Sequence, residues 1–221
     1  MSKKIFMNKL FPRPPSFNYN NLQIDRDSIT YITPPYYASI ITNIINTLIP
    51  SNVMRNDITI MDCTACVGGD TISFGKTFGT VIAIEIIKER YDMLVHNIKE
   101  FKLYNVIPIN DNSIDILKKI NFIDIIYFDP PWGGKSYKDG IDIRLKLGDL
   151  FIDEIINIIF NEIISNVKIV VVKLPINYNL KELYDNTKNN DITILLYELD
   201  KMNIVVFIRN DYISINDHNV K

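Results

Sequence analysis

The stretch "IIYFDPPWGGKSYK" at residues 125–138 combines residue types that suit the binding of a ligand. Four apolar residues lead directly into Asp129, two prolines, the only tryptophan of the chain and two glycines. Proline fixes the backbone and carries no N–H, so Pro130 and Pro131 leave rigid carbonyl acceptors. Such acceptors suit an amino group on a substrate, and a loop between a proline and a glycine is not a core position for Trp132. The segment therefore predicts a substrate site.

Acidic residues stand at or just beyond the ends of four apolar runs: Asp62, Glu85, Asp111 and Asp129. In open α/β sheets, ligands bind beyond the carboxyl ends of the strands. The buried end of a strand has no intrinsic need of a charged side chain. The pattern therefore indicates a ligand site at the carboxyl edge of a sheet.

The elements that must position these acids alternate in type. Short apolar runs predict strands at 58–62, 80–85, 106–110, 123–129 and 168–175, and a hairpin of two strands at 192–199 and 203–209. Helical spacing predicts helices at 35–50, from about residue 71, and at 87–101, 113–119, 149–164 and 179–188. Because the strand runs are continuously apolar, they suit a parallel sheet covered by helices on both faces. The sequence predicts an open α/β sheet.

The turn after the first strand, "CTACVGGDT", is typical of a nucleoside-cofactor site. Gly68 and Gly69 allow a close backbone approach, and Glu85, 23 residues beyond Asp62, can receive both hydroxyls of a ribose. The turn lacks the full glycine set of NAD(P) sites and the lysine of a P-loop. An acid before the glycines repels pyrophosphate but welcomes the ammonium group of an amino acid. S-adenosylmethionine carries an amino acid, a ribose and an adenine and so fits this turn, although the ribose acceptor alone suits any nucleoside cofactor and two glycines often form only a turn.

Composition excludes several classes of protein. The 221 residues suffice for one domain, and the net charge of −2 gives no global attraction for nucleic acid. Two cysteines exclude a disulfide framework and a four-thiolate zinc site, and we expect no metal. The start lacks the apolar core of a signal peptide and no run is long enough to span a bilayer, so we expect a soluble intracellular protein. Basic and aromatic residues alternate near the start, as either a solvated tail or a clasp over substrate: Lys3, Lys4, Phe6, Lys9, Phe11, Arg13, Phe17 and Tyr19.

Five segments, in this order and at this spacing, resemble the trimethylguanosine synthases: "TYITPPYYASII", "MDCTACVGGDTISF", "VIAIEI", "NDNSIDIL" and "FDPPWGGKSY". The resemblance covers roughly residues 22–209, and Pro-Pro-Trp-Gly-Gly is its specific part. It implies a Rossmann-like class I methyltransferase fold, with a mostly parallel seven-stranded sheet, an antiparallel last strand and helices on both faces. It also implies methyl transfer from S-adenosylmethionine to the exocyclic N2 of a 7-methylguanosine RNA cap. The domains would be an extension at 1–34 that is a candidate cap cover, a methyltransferase domain at 35–215 and a tail at 216–221.

The family pattern, carried over by position, assigns the site residues. Those for the cofactor are Thr33, Asp62, Cys63, Gly68, Gly69, Glu85, Asp111 and Asp129. Those for catalysis are Asp129, Pro130, Pro131 and Trp132, and those for the capped substrate are Trp132, Gly133, Lys135 and Arg144. Trp132 would stack on the cationic base, with Gly133 and Gly134 leaving room for it, and Arg144 would meet the triphosphate. Thr33 is equally suited to cap a helix before Pro34, and Lys135 and Lys138 to form a solvated rim.

Asp129 departs from the family, many members of which have serine there. Aspartate at this position is the pattern of adenine-N6 and cytosine-N4 methyltransferases, so such an enzyme is the alternative function. A cap-binding module without catalysis is a second alternative, although the acids retained at Asp62, Glu85 and Asp111 speak against it. Cys63 and Cys66 are spaced as a redox pair, a hypothesis we disfavour because they lie inside the cofactor turn. We expect a monomeric, compact viral or protist enzyme that acts on capped RNA in the nucleus or the cytoplasm, the host cytoplasm if it is viral.

Overall fold

The computed structural model describes residues 3–16, 18–120, 122–163 and 166–213. The chain divides into two compact units, Met1–Ile116 and Leu117–Lys221. The predicted tail at 216–221, Phe17 and the side chains of Lys3, Lys4 and Lys135 lie outside the described residues. Within the described ranges, every helix is too short or too polar to cross a bilayer.

The first unit alternates helices and strands along the sequence. Its strands are β1 (Thr59–Asp62), β2 (Thr80–Ile84) and β3 (Val106–Ile109). Its helices are α1 (Lys3–Leu10), α2 (Ser28–Tyr31), α3 (Pro35–Leu48), α4 (Gly69–Gly75), α5 (Lys88–Glu100) and α6 (Ser113–Leu117), which ends on the first residue of the second unit. Short 3₁₀ turns lie at Tyr19–Asn21 and Arg55–Asp57.

The second unit holds the remaining strands. They are β4 (Ile125–Phe128), β5 (Lys146–Leu147), β6 (Leu150–Phe151), β7 (Ile169–Pro175), β8 (Ile192–Glu198) and β9 (Met202–Arg209). Its helices are α7 (Ile152–Ile158), α8 (Leu180–Thr187) and α9 (Asn210–Ile213), with a 3₁₀ segment at Gly134–Asp139 and a π-helical turn at Ile159–Ile163.

The described residues form a seven-stranded sheet of order β3-β2-β1-β4-β7-β9-β8. The pairs β1–β2, β2–β3 and β4–β7 are parallel, whereas β9 is antiparallel to both β7 and β8. All four residues of β4 and all seven of β7 are buried, because their apolar runs have no polar face to turn toward water. The predicted fold class, including the antiparallel last strand, is confirmed.

The start of the chain is packed into the first unit. Met7 and Phe11 are 1% and 0% exposed and lie in one apolar cluster with Leu22, Val67 and Ile72. A solvated tail is therefore the wrong alternative for the described part of this segment. Its helix was not predicted from the sequence, since eight residues with two lysines at the start give a weak apolar pattern.

Predicted element boundaries differ most between residues 133 and 163. The helix expected at 149–164 begins at Ile152, and the small antiparallel hairpin of β5 and β6 precedes it. Gly148 has a positive φ of 63° in the turn of that hairpin, which is a conformation that glycine adopts without strain. The helix expected from residue 71 begins at Gly69, and the one expected at 113–119 ends at Leu117.

Candidate functional site

Three predicted acids lie at the carboxyl edge of β1, β2 and β3. Asp62 is the last residue of β1, Glu85 follows β2, and Asp111 stands two residues beyond β3. The three strands are parallel, with Asp62 opposite Ala83 and Ile84 opposite Ile109. The sheet therefore brings the acids to one edge of the first unit, as the sequence predicts.

Glu85 is held by backbone donors on both sides. Its carboxylate, 8% exposed, accepts the N–H of Ile87 at 2.8 Å on Oε1 and the N–H of Cys66 at 2.9 Å on Oε2. Burial, more than any other cause, raises the pKa of Glu85 above its ordinary value of 4.5. Because each carboxylate oxygen has two lone pairs, the group can accept two further hydrogen bonds from ligand hydroxyls.

Asp62 fixes the turn that follows β1. It is 1% exposed, and its carboxylate accepts hydrogen bonds from the Thr71 hydroxyl at 2.6 Å and the Thr64 N–H at 3.2 Å. These bonds join the end of β1 to the first turns of α4. The structure thus gives Asp62 a structural task, and its predicted contact with the methionine part of the cofactor stays a prediction.

The two glycines of the turn meet different needs. Gly68 has a φ of 104°, which L side chains rarely adopt. A Cβ on Gly69 would lie 2.8 Å from Ile32 Cγ1 and 2.9 Å from the Thr33 carbonyl oxygen. Glycine is therefore required at position 69 because Ile32 and Thr33 pack against it. The sequence alone did not reveal this packing.

Thr33 belongs to this turn rather than to a helix cap. Its hydroxyl donates to Asp70 Oδ2 at 2.6 Å and it is 3% exposed. The residue at the N-terminus of α3 is Pro34, which makes no side-chain cap bond. The helix-cap alternative is therefore wrong, and Thr33 lies beside Gly69 and Asp70 at the start of α4.

The two cysteines are not activated thiols. Burial, followed by the charge of Asp62, raises the pKa of Cys63 well above its ordinary value of 9.0. Burial likewise raises the pKa of Cys66 to about 11. A redox pair needs a thiol that ionises readily, so these environments oppose the redox hypothesis.

Asp111 is exposed, and its Oδ1 accepts the backbone N–H of Asn112 at 2.7 Å. Asn110 donates from Nδ2 to the carbonyl oxygens of Glu85 and Ile86, at 2.8 Å and 3.1 Å, and so fixes the chain after β2. Ile86 is 64% exposed beside the buried Glu85. The sequence analysis did not identify this apolar surface next to the predicted ribose acceptor. The isoleucine that directly follows Glu85 could have indicated it.

In the second unit, Asp129 is paired with a lysine that sequence reasoning missed. Lys173 Nζ lies 2.6 Å from Asp129 Oδ2, with the two side chains 6% and 16% exposed. The same Nζ lies 5.4 Å from the centroid of the Trp132 ring. The signal was a lysine inside the apolar run "KIVVVKLP", which becomes informative once that run is known to be fully buried.

Trp132 is half-buried and has an aromatic neighbour. The Tyr137 ring meets it edge to face, with centroids 5.2 Å apart and an interplanar angle of 78°. The indole Nε1 is buried and has no acceptor among the described residues. Stacking of a base on the face that carries Lys173 would require that ammonium to move, so the predicted stacking role stays a prediction.

Gly133 and Gly134 have positive φ values of 88° and 69°, and a Cβ on either would meet nothing within 4 Å. This open space agrees with the predicted room for a ring. Pro130 is buried and Pro131 is exposed. Lys138 Nζ lies 6.0 Å from the Tyr137 ring centroid.

Arg144 is engaged by acids. Its guanidinium contacts both oxygens of Asp153 at 2.9 Å and Glu182 Oε1 at 2.9 Å, and it lies 3.8 Å from the centroid of the Phe151 ring. Asp153 is itself 4% exposed and also accepts from Asn186 Nδ2 at 2.7 Å. The sequence signalled none of these partners, and a phosphate contact by Arg144 stays a prediction.

Residues 58–215 match the family described as RNA cap guanine-N2 methyltransferase. The uncharacterized protein L320 of Acanthamoeba polyphaga mimivirus is 33% identical over 216 residues, which are 89% of this chain and 83% of that protein. The trimethylguanosine synthase of Schizosaccharomyces pombe is 31% identical over 148 residues, 63% of this chain and 60% of that one. A solved putative methyltransferase from Streptococcus mutans, in complex with SAH, shares the fold at a TM-score of 0.53, with 13% identity, 80% of this chain covered and 99% of that one.

Proposed function

The chain belongs to the RNA cap guanine-N2 methyltransferase family, and we propose that it transfers a methyl group from S-adenosylmethionine to the exocyclic N2 of a 7-methylguanosine RNA cap. Family and fold together indicate an S-adenosylmethionine-dependent methyltransferase that acts on RNA or another nucleic acid. The observation that carries the cap substrate is the family match over 58–215, which includes both Glu85 and the Asp129–Trp132 segment.

The acids of the first unit fit the proposed cofactor. Glu85 is a buried carboxylate, and further hydrogen bonds from a ribose diol would stabilise its ionised form. Asp111 is exposed at the same edge and would accept from the adenine amino group. Ile86 would supply apolar surface for the base. The methionine end would be held by the turn that Thr33, Asp62, Cys63, Gly68 and Gly69 form. When bound, this cofactor supplies an electrophilic methyl group.

The Asp129–Trp132 segment would hold the guanine. The exocyclic amine is a poor nucleophile because its lone pair is delocalised into the ring. The rigid carbonyl oxygens of Pro130 and Pro131 would accept the amine hydrogens and so orient the nitrogen. Trp132 would stack on the base, whose N7 methyl makes it cationic, with a gain of up to about 2 kcal/mol. Orientation of this kind supplies on the order of 7 to 11 kcal/mol of a reaction barrier.

No strong base is needed in this proposal. The methylated amine carries a positive charge and releases a proton to water after transfer. The ion pair with Lys173 favours the ionised form of Asp129, which therefore acts as an acceptor of hydrogen bonds. The cap triphosphate would meet Arg144 and the Lys135 and Lys138 positions, and Arg144 would then exchange part of its contact with Asp153 or Glu182 for phosphate.

Two variants test this division of roles. Trp132→Ala should abolish binding of 7-methyl-GTP and leave calorimetric binding of S-adenosylhomocysteine nearly unchanged, whereas Glu85→Ala should do the reverse. Phe122→Ala is the matched control for the first, since Phe122 is an 81% exposed aromatic residue of the same unit. Glu89→Ala, at an exposed acid of α5, is the control for the second. Equal loss of both ligands in either site variant would contradict the assignment.

The substrate assay compares 7-methyl-GTP with plain GTP, and mass spectrometry of the product counts the methyl groups. Substantial turnover of plain GTP would contradict the cap proposal. The alternative of an adenine-N6 or cytosine-N4 methyltransferase rests on the aspartate of Asp129-Pro130-Pro131-Trp132, and it predicts transfer to an adenine- or cytosine-containing oligonucleotide. A cap-binding module without catalysis would show no affinity for S-adenosylhomocysteine.

A further inference from the structure

Lys173 is a charged residue in an otherwise apolar and fully buried strand. It is 4% exposed within β7, all seven residues of which are buried. Burying an ammonium group is costly unless it is paired and hydrogen-bonded. A lysine at such a position therefore needs partners that compensate for the lost water.

Two of its partners are the first and last residues of the Asp129–Trp132 segment. In the parallel pairing of β4 with β7, Phe128 lies opposite Val172, so the next residues, Asp129 and Lys173, are neighbours. Lys173 Nζ donates to Asp129 Oδ2 at 2.6 Å and lies 5.4 Å from the Trp132 ring centroid. The Lys173 ammonium group thus contacts the side chains of both Asp129 and Trp132, which flank the two prolines.

The orientation of the Trp132 ring depends on these packing contacts. Its indole Nε1 is buried, and none of the described residues accepts a hydrogen bond from it. Among the described side chains, Lys173 and Tyr137 are the ones that contact the ring in an electrostatically favourable geometry. Removal of the ammonium group would therefore remove one hydrogen bond from the Asp129 carboxylate and one favourable contact from the indole.

We propose that Lys173 is a positioning residue for base methylation, which holds the Asp129 carboxylate by its Oδ2 and fixes the indole of Trp132. The predicted loss of kcat rests on the proposed function. The predicted change around Trp132 does not. The pairing also favours Asp129 as a hydrogen-bond acceptor rather than a general base, because protonation of Asp129 would weaken its compensation of the buried Lys173 charge.

The test uses Lys173→Met, with Lys181→Met as the matched control. Lys181 forms a pair of the same length, 2.6 Å to Asp185 Oδ2, but its side chain is 87% exposed. Trp132 is the only tryptophan, so fluorescence excited at wavelengths that tyrosine does not absorb reports on its surroundings alone. Lys173→Met should shift the emission of the folded protein, leave S-adenosylhomocysteine affinity within about two-fold, and lower kcat on 7-methyl-GTP by roughly 10- to 100-fold, as small misplacements of reacting groups do. Lys181→Met should match the wild type in all three.

Each outcome decides the inference. Unchanged emission, wild-type kcat or tighter binding of 7-methyl-GTP in Lys173→Met would overturn it. If Lys173→Met does not fold, the same readouts are measured on Lys173→Gln, whose polar amide removes the cation and is able to donate a hydrogen bond in the same buried position. If the wild-type chain methylates no capped nucleotide, the proposed function fails, and the emission of Trp132 still decides whether Lys173 positions the loop.

Discussion

Asn97 joins the segment at Gln23 to the turn between β1 and α4, and its side chain offers a sharp test of that connection. It lies on α5 and is 0% exposed. Its Oδ1 accepts the Gln23 N–H at 2.8 Å, while its Nδ2 donates to the Gln23 carbonyl at 2.8 Å and the Val67 carbonyl at 2.9 Å. Three backbone groups from two distant segments are thus satisfied by one amide.

Asn97→Asp replaces the donating NH₂ group by an oxygen at nearly constant volume. The bond from the Gln23 N–H survives, but the carbonyls of Gln23 and Val67 lose their donor and face an acceptor instead. A buried polar group left unsatisfied costs about 1 to 3 kcal/mol, so the buried Val67 carbonyl alone predicts a loss in that range, and the Gln23 carbonyl, on an exposed residue, adds less. Against a total stability of about 5 to 15 kcal/mol, this loss is large.

Urea unfolding followed by far-ultraviolet circular dichroism measures the change in the free energy of unfolding. Asn157→Asp is the matched control, because Asn157 Nδ2 donates to a single exposed backbone carbonyl, that of Asn186, at 3.0 Å. We expect the control to stay within about 0.5 kcal/mol of the wild type. A loss below about 1 kcal/mol in Asn97→Asp would refute the reasoning, since it would mean that the buried Val67 carbonyl finds another donor at little cost.

Two further predictions concern Gly69 and Glu85, two residues that are predicted to bind the cofactor. Gly69→Ala should destabilise the protein by about 1 to 3 kcal/mol and weaken S-adenosylhomocysteine binding, because the new Cβ would lie 2.9 Å from the Thr33 carbonyl oxygen. Gly148→Ala, at an open position with a φ of 63°, should show only a backbone cost of about 1 kcal/mol and unchanged binding; equal binding losses would contradict the steric account. Because burial raises the pKa of Glu85 above 4.5, its stabilising contribution is full below that pH and is lost as the pH rises through the folded-state value. The free energy of unfolding of Glu85→Gln should therefore rise relative to that of the wild type as the pH rises from about 4 to 7. A constant cost is added, because the amide group accepts from only one of the two backbone N–H groups. If the difference in the free energy of unfolding does not change with pH, ionised Glu85 is not destabilised by burial.

The alternation of strands and helices and the positions of the acids were predictable because they follow from local pattern. Continuous apolar runs such as those of β4 and β7 have one stable environment, the interior of a parallel sheet. Residues that follow such runs must then appear at the carboxyl edge, which is why Asp62, Glu85 and Asp111 could be grouped before any contact was known. The helix at 149–164 was predicted too long, since a two-residue hairpin leaves almost no periodic signal.

The cofactor side of the candidate site was predicted as a set of residues but not as a set of contacts. Gly69 was expected to admit a ligand, whereas its missing Cβ makes room for Ile32 and Thr33. Thr33 left two alternatives in the sequence; the N-cap of α3 is Pro34, which opposes the helix-cap alternative, and the contact of Thr33 with the cofactor stays a prediction. Arg144 was expected to meet phosphate, and its contacts with Asp153 and Glu182 were not foreseen.

By itself the sequence determined the alternation of elements, the edge of the sheet that carries the acids, and the motif that signals the family. Each of these depends on residues close together in the chain, where spacing and apolar pattern are decisive. Only the tertiary structure decided that Lys173 meets Asp129 and Trp132, and that the start of the chain packs against Val67. These contacts join residues about 40 or more positions apart, and the pattern of one segment does not specify which distant side chain will neutralise a buried charge or fill a cavity.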